Sequence, residues 1–120
     1  MSSIMVVEDE HDLREVLVEI LTDEGFDILE AETADAALPL LYGEEVRLIV
    51  TDIDLPGSID GIGLAKAARE WLPSIPIIFV SGQPGKLRDA RVVGDPSVFL
   101  QKPFSLRCLV SDVQRLAVAS

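Results

Sequence analysis

Short apolar runs alternate along this chain with stretches whose apolar residues recur every three or four positions. Ile4 to Val7 is the first run, continuous rather than alternating. Leu13, Val16, Leu17, Ile20 and Leu21 then return at helical spacing, and Gly25 stops that helix. Phe26 to Ala31 reads as a second strand. Thr33 is placed to cap a second helix carrying Ala37, Leu38 and Leu41, with Pro39 inside it as a source of a kink or a shortening. Val46 to Thr51 is a third strand. Asp60 caps a third helix running through Ala65, Ala68 and Leu72, closed by Pro73. Pro76 to Val80 is the fourth strand and Val98 to Leu100 the fifth. Between them Pro84, Gly85, Gly94 and Pro96 leave room for only about two turns of helix. Ser105 caps the last helix, with Leu106, Leu109, Val110, Val113 and Leu116 on one face.

The order is strand then helix, five times over. Strands that are apolar on both faces imply a parallel sheet covered by helices on each side. Right-handed crossovers then predict an α/β, doubly wound domain. Five such units predict a flavodoxin-like five-stranded parallel sheet in the order 2-1-3-4-5, with a switch point between strands one and three. Ligands gather outside the carboxyl ends of the strands at such a point.

Composition narrows the picture further. The 120 residues are 48% hydrophobic and 26% charged, enough apolar material for one core and a single domain over 1–120. Ten Lys and Arg against 21 Asp and Glu give a formal charge of -11. That sign argues against nucleic acid and anionic membrane as direct partners and suits cations and basic protein faces. Cys108 has no second cysteine to pair with, which fits a cytoplasmic setting. MSSIMVVEDE lacks the basic lead and long apolar run of a signal peptide, and no stretch approaches the ~20 residues of a membrane span.

The polar residues collect at the predicted strand ends. Glu8 and Asp9 follow strand one, Asp52 follows strand three next door, Ser81 follows strand four and Lys102 follows strand five. Acidic residues at a helix start often serve only as dipole partners, and a lone Ser or Lys is usually surface. Their convergence on one rim is what carries chemistry. Packed carboxylates repel each other unless a cation sits among them, and hard oxygen ligands around an open position suit Mg²⁺. A cation, Lys102 and Ser81 together make a receptor for a phosphoryl group, and a carboxylate beside it can accept that group. His11 reads as solvated, Cys108 as lying off the apolar stripe of the last helix, and Trp71 as packing at the end of the third helix.

VVEDE at 6–10, LIVTDIDLPG at 48–57, IIFVSG at 77–82 and FLQKPF at 99–104 occur in that order, each at a strand end. With these motifs the chain resembles a receiver domain of the two-component response-regulator family, of the single-domain type. The resemblance implies Asp52 as phosphoacceptor. It implies Mg²⁺ held by Glu8, Asp9, Asp52 and the backbone carbonyl of Asp54. Ser81 would hydrogen-bond the phosphoryl group and Lys102 would pair with it. Phe99 would be the switch aromatic, and the Lys102–Pro103 bond would be cis. The implied donor is a histidine kinase or a histidine phosphotransfer protein. The output is a downstream protein target, and pairing of two copies through the helix 4–strand 5–helix 5 face is a further expectation. Such a protein is a self-phosphorylating and self-dephosphorylating phosphoacceptor rather than a turnover enzyme. The sequence departs from the family pattern in three places. LPGSIDG is one residue longer than the commoner loop, Phe99 lacks the hydroxyl of the frequent Tyr, and 83–97 lacks the usual longer fourth helix and its Gly-Ala ending.

Other readings compete. Asp52-Ile53-Asp54 resembles the nucleophile motif of haloacid-dehalogenase-type phosphatases, but an acid pair precedes it and too little chain follows. A flavin site would need Ser, Thr and Gly after strand one, where Glu8, Asp9 and Glu10 would repel a phosphate. A degenerate receiver acting only as a binding module is disfavoured because every key position is filled.

Overall fold

The computed structural model describes residues 2–118. Strands β1 (Ser3–Val7), β2 (Ile28–Ala31), β3 (Val46–Asp52), β4 (Ile77–Ser81) and β5 (Ser97–Gln101) alternate with helices. These are α1 (His11–Asp23), α2 (Ala34–Gly43), α3 (Gly61–Trp71), α4 (Pro84–Ala90) and α5 (Leu106–Val118). A single 3-10 turn, Arg91–Val93, follows α4. All pairings are parallel and the strand order is 2-1-3-4-5, as the alternation of runs predicts.

The continuous apolar runs exist because each central strand is buried on both faces. Met5, Val7, Ile49, Ile77 and Phe79 point into one core with α2, α3 and α4. Ile4, Val6, Leu48, Val50, Ile78 and Val80 point into the other, with α1 and α5. Caps set the helix ends. Thr33 accepts from the Ala36 amide at 3.0 Å, Asp60 from Gly63 at 2.9 Å and Ser105 from Cys108 at 3.3 Å. Gly25, at φ 95°, ends α1 in a Schellman arrangement: its amide bonds Thr22 O at 2.9 Å and the Phe26 amide bonds Leu21 O at 3.2 Å. That cap explains why β2 begins at Ile28 rather than Phe26, whose N–H is already committed.

Other boundaries also shift for local reasons. Pro39 neither ends nor shortens α2, which runs on to Gly43. It lies on the exposed side, where a carbonyl deprived of its helical partner can be hydrated. Pro76 has no N–H for the ladder, so β4 starts at Ile77, although Pro76 O still accepts from Ile49 N at 3.1 Å. Pro84 and Gly85 open α4 instead of interrupting it, Pro84 taking the first-turn position where its missing donor costs nothing. Trp71 is 56% exposed and meets Tyr42 edge-on at 5.4 Å between centroids, so it packs on the surface rather than in the core.

Contacts outside the caps hold both ends of the sheet, those of Gly61 at the rim and those of Arg69 at the opposite end. Gly61 lies so close to the end of β3 that a Cβ there would run into the Asp52 carbonyl oxygen, and its amide bonds Ile53 O at 2.9 Å. Arg69, near the end of α3, donates to Ile75 O at 2.8 Å, Gly94 O at 3.0 Å and Asp95 O at 3.1 Å, and it also reaches Pro96 O. The turn before β5 is thereby tied to α3.

Candidate phosphoacceptor site

The chemistry-bearing residues are fixed by the sheet itself. β3 extends to include Asp52 and β4 to include Ser81, so both are ladder residues rather than loop residues. Glu8 follows β1 directly, its amide bonding Ala31 O at 3.1 Å. Its carbonyl accepts from Arg14 Nη1 at 2.8 Å, which pins the turn into α1. Lys102 is joined to the neighbouring strand end through its own amide, bonded to Ser81 O at 2.9 Å. The Lys102–Pro103 bond is cis, as expected, and Asp95–Pro96 is cis as well.

These placements bring three elements to one point. Lys102 Nζ lies 3.1 Å from Glu8 Oε1 and 3.2 Å from Asp52 Oδ2, with Glu10 Oε1 at 3.7 Å. Glu8 is 2% exposed and Asp52 5%, whereas Asp9 stands in solvent. Glu8, Asp9 and Asp52 each offer a carboxylate oxygen within 4.8 Å of the others. Burial pushes the Glu8 carboxyl up to about 7, and the nearby Asp52 charge adds to that, against the pull of the Glu10 amide and Lys102. Burial likewise raises Asp52 above the ordinary carboxylate value although Lys102 draws it down. For Lys102, burial disfavours the charge, but the Glu8 hydrogen bond and the two carboxylate charges outweigh it and hold the ammonium above its usual value. The ammonium thus partly neutralises a buried acidic pair that remains open on the Asp9 side. Hard oxygens with one open flank fit a divalent cation of the magnesium class.

Ser81 is turned away from the acceptor carboxylate. Its hydroxyl donates to Asp54 Oδ2 at 2.8 Å and accepts from the Gln83 amide at 3.0 Å, so its one proton is committed away from Asp52. Asp54 N in turn donates to Asp52 Oδ1 at 3.2 Å. Phe99 sits mid-strand, its ring stacked on Phe79 at 5.5 Å and covered by the Arg91 guanidinium at 4.7 Å. His11 is 70% exposed beside Asp12 and Glu15, outside the site, and Cys108 is exposed on α5. Sequence reasoning missed Gln83, Glu10 and Arg14. The place of Gln83, two residues past Ser81 at the start of α4, was the available signal.

The sequence profile described as "Response regulator receiver domain" matches residues 4–114. The chain belongs to the response regulator receiver family. This receiver domain is 33% identical to the response regulator receiver protein CpdR of Brucella abortus, with the whole of both chains covered. It is similar to the solved receiver domain of NtrX from Brucella abortus at 33% identity and a TM-score of 0.88, covering 98% of this chain and 100% of that one. It is also 33% identical to a segment of the sensor kinase CckA from Brucella abortus, spanning 96% of this chain but 12% of that protein. The NtrX-like regulators and FleR are much longer, and the chain spans about a quarter of their length. The receiver domain is a phosphoacceptor module of two-component signalling, and this family match over almost all the chain favours it over the phosphatase reading of Asp52 and Asp54. No helix among the described residues is long and apolar enough to cross a membrane.

Proposed function

We propose that Asp52 takes a phosphoryl group from the phosphohistidine of a histidine kinase or a histidine phosphotransfer protein. The observation that carries this reading is the Lys102 ammonium held between Glu8 and Asp52 at a rim where Asp9 also arrives. In the transfer, the P–N bond to the donor imidazole breaks with its electron pair returning to the ring. A P–O bond forms to a carboxylate oxygen of Asp52. Water later cleaves the acyl phosphate and resets the carboxylate. The domain is therefore consumed and regenerated one phosphoryl at a time, not a turnover enzyme acting on a separate substrate.

Glu8, Asp9 and Asp52, with the Asp54 carbonyl, would hold Mg²⁺, which when bound neutralises charge on the phosphoryl oxygens. Lys102 pairs with the phosphoryl group and Ser81 hydrogen-bonds it. Phe99 repacks beneath, next to the cis Lys102–Pro103 bond. The output passes to a downstream protein through the α4–β5–α5 face, which is also where two copies would pair. A single receiver unit over residues 1–120, working in the cytoplasm, accommodates these steps.

Acetyl phosphate with Mg²⁺ should add one phosphoryl group by intact mass. Full modification of Asp52→Ala would refute the assignment.

A further inference from the structure

We propose that Asp54 is a resting-state catch that holds the Ser81 hydroxyl away from the acceptor site, so that phosphorylation must win Ser81 from Asp54 before the start of α4 responds. This rests on the reading of Asp52 as phosphoacceptor and adds a positioning role for the Asp54 side chain. A serine hydroxyl has one proton to give. Here that proton goes to Asp54 Oδ2 at 2.8 Å, a charge-assisted bond of the stronger kind. The second carboxylate oxygen faces the Gln83 side-chain amide in a long contact at 3.5 Å, so both oxygens are turned to the β4–α4 junction.

The serine oxygen is also the acceptor for the Gln83 amide at 3.0 Å. Gln83 is the residue that opens α4, its carbonyl accepting from Lys86 N at 3.0 Å and Leu87 N at 3.3 Å. Three groups therefore share one rotor. When Ser81 turns to donate toward a phosphoryl oxygen on Asp52, it abandons Asp54 and moves the acceptor from the Gln83 amide. The helix start then loses the contact that locates it. Asp54 opposes that turn, and α4 reports it. Asp54 is exposed, so the catch can open without burying an unpaired carboxylate.

The test uses beryllofluoride with Mg²⁺ as the phosphoryl mimic, read by the amide NMR signals of residues 82–87 as the mimic is titrated. Asp54→Ala removes the competing acceptor and should lower the half-saturating mimic concentration roughly fivefold, the scale of one hydrogen bond's net contribution at an exposed partner. Removing a negative charge near an anion site would also tighten binding, so the same substitution is made in a Ser81→Ala background. There the gain should shrink to less than about twofold, because no hydroxyl is left to compete for. An unchanged affinity in Asp54→Ala overturns the catch. So does an equal gain in both backgrounds, which would leave only the charge effect. Failure of the underlying reading looks different: the mimic would then leave the wild-type signals unmoved, or would still bind Asp52→Asn.

Discussion

The two sides of the sheet are built to different standards. Every residue of β4 is buried, and Ile4, Met5, Leu48, Ile49, Ile77 and Ile78 are fully so. In β5 no residue is buried: four are half-exposed and Gln101 is exposed. β5 pairs on one side only, and over it lie a seven-residue α4 and a single 3-10 turn. Glu8 and Asp52 belong to the deeply packed side, while Lys102, which touches both, arrives from the loosely packed one. The acceptor thus sits where nothing yields, and its counter-charge sits where motion costs little. A change of charge at Asp52 has a direct lead into the region with the least burial.

Core truncation should expose this contrast most strongly. Ile49→Ala or Ile78→Ala should lose about 2–5 kcal/mol by urea unfolding, and Val98→Ala in β5 about 1 kcal/mol or less. Equal losses would erase the distinction. The next effect is on pH. In chelator, the Glu8 pKa is raised from 4.5 to about 7, so its protonated form favours folding. That contribution is fully present below 4.5 and is lost as pH rises through about 7. It amounts to at most about 1.4 kcal/mol for each tenfold gain in proton affinity on folding. Melting temperature should fall across that window, Mg²⁺ should flatten the fall, and Asp9→Asn should blunt the Mg²⁺ effect. A metal-free profile flat between pH 4.5 and 7 would count against the buried acidic pair.

Lys102→Ala should still accept a phosphoryl group by intact mass but lose most phosphorylation-dependent partner affinity in a pull-down. Normal partner switching would show that the signal takes another route. The smallest effect is expected in hydrogen exchange. Amides from Lys86 to Val93 should exchange faster than those of β3 and β4, and beryllofluoride should slow them by a few-fold. Protection equal to the central strands without the mimic, or no response to it, would place the mobile region elsewhere.

The sheet order was readable because burial on both faces leaves continuous apolar runs, and the caps were readable because Thr33, Asp60 and Ser105 stand immediately before periodic stretches. The rim residues were readable because strand ends in a doubly wound sheet converge. What could not be read is direction. A position at a strand end does not disclose a rotamer, so the turn of Ser81 toward Asp54 was invisible. Nor does a proline disclose whether it breaks a helix or begins one: Pro39 lies within α2 and Pro84 opens α4. The ties from Arg69 to the backbone of 93–96 join segments far apart in sequence and leave no local signature.

Those Arg69 ties make β5 mechanically asymmetric. Its leading end is riveted to α3, while its trailing end carries Lys102 and continues into the α5 linker. Both ends share the ladder to β4, but only the leading end has this second set of ties, so displacement should grow toward Gln101. A spin label at position 97 should therefore stay silent through a phosphorylation cycle while one at position 101 registers it. Loosening the rivet with Arg69→Gln should spread the same displacement along the whole strand and blur the directionality of the output.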